Sequence, residues 1–152
     1  MGIQEEIKQK NFRSSYQKAF INIMYTNNWL QEQMRSLLQV EELTTQQFNV
    51  LRILRGSYPD PLSTLQIRER MLDKMSDTSR IVDRLMKKEL VTKITCASDK
   101  RLVDVCITSL GLDKLKRIDE EEVLIDKALH NLSSEEAETL SLLLDKIRAK
   151  KD

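Results

Sequence analysis

The stretch SDTSRIVDRLMKK (residues 76–88) and the one that follows, LVTKITCASDKRLVDVCIT (residues 90–108), decide the fold between them. In the first, Ile81, Val82 and Leu85 point to one side, while Ser76, Thr78, Ser79, Arg80 and Arg84 are polar. That spacing predicts a short amphipathic helix. In the second, Val91 to Ala97 and Leu102 to Ile107 are rich in β-branched residues. Val103, Val105 and Ile107 alternate with Asp104 and Cys106, the pattern of a half-buried strand. Asp99-Lys100-Arg101 falls at the tip of the resulting hairpin. A helix of this size fits the major groove of duplex DNA, and a thin basic finger fits the minor groove beside it.

Outward from this pair, three helix starts share one signature. Thr44-Thr45-Gln46-Gln47, Ser63-Thr64-Leu65-Gln66 and Ser133-Ser134-Glu135-Glu136 each place a hydroxyl three residues before a Gln or Glu. Such a box satisfies two free helix N–H groups reciprocally. Leu43 with Phe48, Leu62 with Ile67, and Leu132 with Ala137 add a hydrophobic staple to each. The helix from Thr45 should end near Gly56, before the rigid loop Tyr58-Pro59-Asp60-Pro61, and a short helix should run from Leu65 to about Leu72. Upstream, Phe12, Tyr16, Ala19, Ile23 and Leu30 fall at helical spacing and predict one long helix from about Gln4 to Leu38. Thr108 can cap a last helical region, with Leu112, Leu115 and Ile118 inward, running to about Asn131. Leu140, Leu144 and Ile147 mark a final helix. The expected architecture is mainly α with a small β-hairpin wing: a winged helix-turn-helix over residues 41–108 within one domain, 1–152. Long helices at 1–40 and 109–152 have surplus apolar faces suited to a dimer.

Composition agrees with this reading. With 152 residues, three glycines, two prolines and 32% charged residues, the chain has a helix-rich, soluble make-up. Net charge is only +1, so the molecule as a whole is not a generic polyanion binder. From Thr64 to Arg101, however, 10 basic and 6 acidic residues leave a local positive excess. No stretch is apolar enough to cross a membrane and the first ten residues lack an apolar signal core, so the chain is expected in the cytoplasm.

Within this frame, residues 62–111 resemble the MarR family of bacterial transcription regulators. Ser79-Arg80-Ile81-Val82-Asp83-Arg84-Leu85 is similar to that family's recognition-helix pattern, and Asp99-Lys100-Arg101 to its Asp-x-Arg wing tip. Val105 to Gly111 resembles the return strand and the Leu-Thr-x-x-Gly start of the next helix, with Ile107 in place of Leu. The resemblance implies a homodimer on a pseudo-palindromic double-stranded operator, commonly a repressor released when a small molecule binds, a cysteine is oxidised or another signal arrives. It implies DNA contacts from Ser76, Asp77, Ser79, Arg80 and Arg84 on the recognition helix, and from Lys93 and Lys100. Arg101 would be the minor-groove finger, held by a charge-assisted hydrogen bond from Asp99. A ligand pocket would sit where the long helices meet the DNA-binding lobe, with Tyr16, Phe20, Met24 and Trp29 as lining. Two positions depart from the pattern. Lys93 stands where Arg is usual and loses the bidentate phosphate contact. Glu89 stands where Gly is usual, and must accept a left-handed conformation at about 1 kcal/mol or use another geometry.

Other constellations are weaker. The bland reading of Arg80 and Arg84 is a solvated face paired with Asp77 or Asp83. Cys96 and Cys106 lie on the two predicted strands and read as ordinary thiols. Glu122, Asp126 and His130 share a helix face but make a poor transition-metal set, so no metal or other cofactor is expected. No nucleophile has a base beside it and no phosphate-cradling glycine pattern occurs, so an enzyme is not expected. The competing reading is a helical winged-helix module that binds another protein instead of specific DNA.

Overall fold

The computed structural model describes residues 2–95 and 103–150. Its elements, in chain order, are α1 (Ile3–Glu6), α2 (Ser15–Gln39), α3 (Thr45–Ser57), β1 (Leu62–Ser63), α4 (Thr64–Arg70), α5 (Thr78–Lys87), β2 (Val91–Thr95), β3 (Val103–Ile107), α6 (Ser109–Leu129) and α7 (Ser134–Arg148). The sheet has the order β1-β3-β2 and is antiparallel throughout, with Val91 opposite Ile107, Lys93 opposite Val105, and Leu62 also opposite Val105. This is the expected mainly helical winged helix-turn-helix. Among the described residues no helix is long and apolar enough to cross a membrane.

All three predicted capping boxes form. Gln47 N donates to Thr44 Oγ1 at 3.1 Å while Thr44 N donates to Gln47 Oε1 at 3.2 Å. Ser63 with Gln66 and Ser133 with Glu136 repeat the exchange. Thr108 caps α6 as expected, accepting from Gly111 N at 3.1 Å, and its hydroxyl donates to Glu89 O at 2.8 Å.

Three expectations need correction. The first long helix is broken: α1 is one turn, and α2 begins only at Ser15. Lys8 adopts a left-handed φ of 55°, and Ser14 caps the new start by accepting from Gln17 N. Ser14-Ser15-Tyr16-Gln17 carries the same hydroxyl-to-Gln spacing as the other boxes, so a local stop-and-start signal outweighs the apolar periodicity. Secondly, the helix expected from Ser76 begins at Thr78. Asp77 is its N-cap, accepting from Arg80 N at 3.2 Å, and Ser76 precedes the helix. Thirdly, Leu62-Ser63 is a strand as well as a helix entry, which makes the hairpin the larger part of a three-stranded sheet.

The core lies in the lobe. Val50, Leu51 and Leu54 of α3, Ile67 of α4, Val82 and Leu85 of α5, Val105 of β3 and Leu115 and Ile118 of α6 are all essentially sealed from solvent. Each such Leu or Ile contributes about 2 kcal/mol on burial. From α2 only Leu38 is buried, and α7 buries none of its residues. Ion pairs fasten α6 to the lobe. Glu41, just beyond α2, accepts from Arg117 Nε at 2.9 Å and Arg117 Nη2 at 3.0 Å, and Lys114 Nζ donates to Glu41 O at 2.7 Å. Arg117's hydrogen bonds hold the Glu41 carboxyl below its ordinary pKa of 4.5. Burial opposes them, and the charges of Arg117 and Lys114 reinforce them. Arg55 of α3 reaches Asp119 at 2.6 Å.

The end of α5 is a strained point. Glu89 has φ 61°, so this chain places a glutamate in the left-handed region where a glycine would sit at no cost. Across the same junction, Thr108 N donates to Leu90 O at 3.0 Å. A Cβ on Gly111 would lie 2.5 Å from Leu90 O and 2.7 Å from Ile107 Cγ1, so only glycine permits this approach.

Candidate nucleic-acid interface

Helix α5 buries Thr78, Val82 and Leu85 and leaves Ser79, Arg80, Asp83, Arg84 and Lys87 outward. The buried face is the period-3.6 stripe read from the sequence, and the outward face follows from it. A cleft lies on each side of the N-terminal part of the helix. One, of 310 Å³, separates it from the N-terminus of α3 and is lined by Thr44, Gln46, Arg80 and Arg84. The other, of 430 Å³, separates it from α4 and is lined by Thr64, Arg68 and Ser79. The turn between α4 and α5 is fixed to α3, since Leu72 N donates to Asn49 Oδ1 at 2.9 Å.

The expected site residues separate into groups. Ser79, Arg80 and Arg84 share the exposed face, and among the described residues neither guanidinium forms a salt bridge. Asp77 is occupied as the N-cap, its carboxylate at the positive end of the helix dipole. Ser76 turns its hydroxyl inward, where Oγ has no hydrogen-bond partner among the described residues. Lys93 donates to Asp83 Oδ1 at 2.9 Å. Asp99, Lys100, Arg101 and Cys96 lie outside the described residues. Cys106 is half-buried on β3, its thiol 3.6 Å from Pro59 O. Sequence reasoning missed Lys87, although it continues the Arg80–Arg84 face at the next helical position.

Tyr16, Phe20, Met24 and Trp29, the residues expected to line a pocket, all lie on α2. They are exposed along α2, Tyr16 by 86% and Phe20 by 66%. A cleft of 340 Å³ does lie where α2 meets the lobe, lined by Gln31, Met34, Phe48, Asn49, Arg52 and Leu72. Arg52 stacks over the Phe48 ring there, 5.6 Å from its centroid.

A tandem helix pair, a sheet built on the strand after the second helix, and a basic outward face on that helix define a winged helix-turn-helix protein. Comparison with known proteins narrows the class. Residues 43–103 match the model of the MarR family. The chain is 27% identical over 131 residues to the HTH-type transcriptional regulator MhqR of Bacillus subtilis (strain 168), covering 86% of this chain and 89% of that protein. Its fold superposes with a TM-score of 0.69 on a MarR transcription factor from Planctomyces limnophilus, at 29% identity, over 89% of this chain and 98% of the other. A mutant MarR from E. coli, solved in complex with operator DNA, gives a TM-score of 0.77 at 22% identity, over 91% and 99% of the two chains. Over residues 43–103 the chain is thus similar to the MarR family.

Proposed function

We propose that the protein is a sequence-specific double-stranded DNA-binding transcriptional regulator, acting as a homodimer that represses until a small molecule releases it. The observation that carries this reading is the outward face of α5, where Arg80, Arg84 and Lys87 are all exposed and Arg80 and Arg84 line the cleft toward α3. Arginines on an exposed helix reach base edges or phosphates, whereas the buried core of a protein–protein patch is depleted in charged residues. In this reading Ser79, Arg80 and Arg84 enter the major groove, and Arg101 serves the minor groove as the family resemblance implies.

Dimerisation is supported by what the chain leaves uncovered. Tyr16, Phe20, Ile23 and Met24 line one face of α2, and Leu140, Leu143 and Ile147 one face of α7, all exposed in a single chain. Contiguous apolar faces of this kind mark an interface. The cleft beside Arg52 and Phe48 is the better-supported place for a small molecule, being lined by both apolar and hydrogen-bonding groups.

The test is a gel shift with the duplex upstream of the protein's own gene against a random duplex of equal length, at two salt concentrations. Preference for the upstream duplex that persists at the higher salt is expected. Equal affinity for both would remove the specific-DNA reading.

A further inference from the structure

Asp83 sits at the centre of the α5 face proposed to meet DNA. On the helix it lies three residues beyond Arg80, four beyond Ser79 and four before Lys87, all of them exposed. A carboxylate there opposes the phosphate field that the neighbouring cations attract. The structure supplies a counter-charge from another element. Lys93, the third residue of β2, reaches across to α5 and donates to Asp83 Oδ1 at 2.9 Å. The Lys93 side chain is 27% exposed and that of Asp83 is 52% exposed, so the lysine is the more enclosed partner. Its ammonium is directed at the helix, and its strand position opposite Val105 holds it at the root of the wing.

We propose that Lys93 is a positioning residue, acting on DNA through Asp83 instead of touching a phosphate. It neutralises the one acidic group in the middle of the recognition face, and the same bond braces β2 against α5, so helix and wing root present themselves together. This inference rests on the DNA-binding reading above and assigns a task within it.

The experiment measures affinity for the upstream duplex and for a random duplex, over a series of salt concentrations, with four full-length variants. Lys93→Gln exposes an uncompensated Asp83 and is expected to weaken binding about tenfold. Lys93→Arg keeps the pair and the affinity. Asp83→Asn added to Lys93→Gln is expected to restore binding close to that of the unaltered protein, with the salt slope unchanged. If Lys93 instead touches a phosphate, the double variant stays as weak as Lys93→Gln and its salt slope falls by about 0.9. That outcome, or an unaffected Lys93→Gln, overturns the inference. So does a loss of preference for the upstream duplex with Asp83→Asn alone, because Asp83 would then be reading a base. Thermal melting of each variant separates lost folding from lost binding, since rescue by the second substitution is read per folded molecule. Failure of the unaltered protein to prefer the upstream duplex defeats the DNA reading itself. Failure of the rescue alone defeats only the role of Lys93.

Discussion

Glu89 and Gly111 face each other across one junction and make opposite demands on a side chain. Glu89 carries a Cβ in the left-handed region, where glycine has no penalty. Glu89→Gly is therefore expected to raise stability by about 1 kcal/mol, read as a higher urea midpoint with an unchanged slope. Gly111 has no room for a side chain, because an added Cβ would lie 2.5 Å from the backbone oxygen of Leu90 and 2.7 Å from Ile107 Cγ1. Gly111→Ala should lower stability by about 1–3 kcal/mol in the same measurement. Glu41 gives a pH dependence whose sign follows from its pKa. Its folded value is depressed by Arg117, so its contribution is complete above 4.5 and is lost as pH falls through the lower folded value. Glu41→Gln should thus melt below the unaltered protein at neutral pH, and the gap should close as acid protonates Glu41. A gap that persisted through acid would show that the ion pair is not its source.

At the scale of the element, α5 carries the firmest functional expectation. Arg80→Ala and Arg84→Ala should each weaken binding to the upstream duplex while leaving helical circular dichroism intact. A residue that only touches phosphate should lower the salt slope by about one and affect random DNA equally. A residue that reads a base should reduce discrimination by about 1–3 kcal/mol. The helix was legible in the sequence because its apolar stripe and its polar face are both local patterns. The three capping boxes were legible for the same reason, since every partner lies within three residues. The break before α2 was legible in principle through Ser14 and Gln17, but a continuous apolar period hid it. In the structure Gln17 Oε1 accepts from Arg13 N, not from the cap's own N–H, so the box there is also incomplete. Strand β1 had no local signal. Two residues long, it exists only because Leu62 meets Val105, more than forty residues away. The Lys93–Asp83 pair was hidden likewise, since sequence spacing within one helix says nothing about a strand that folds back over it. Tyr16, Phe20, Met24 and Trp29 were readable as apolar and helical, but not as exposed, because a local pattern does not say whether another element covers it.

For the whole molecule, α7 poses the sharpest question. A helix of fifteen residues with none buried has little support from its own chain, and isolated helices of that length are marginal in water. A partner that covers Leu140, Leu143 and Ile147 accounts for its presence. Sedimentation at micromolar protein is accordingly expected to give a dimer. Ending the chain before Ser134 should shift it toward monomer and weaken DNA binding at the same time, because half-sites about 34 Å apart need both lobes in register. A truncated chain that stays dimeric would place the interface elsewhere. The junction of Glu89, Leu90, Thr108 and Gly111 then acquires a mechanical meaning. It is a weld and not a hinge: Thr108 bonds the end of α5 to the start of α6, and the empty side of Gly111 lets the two backbones touch. A turn of α6 must swing the exposed face of α5 with it. Two such chains joined through their long helices would work as callipers, whose jaws open or close only when the handles move.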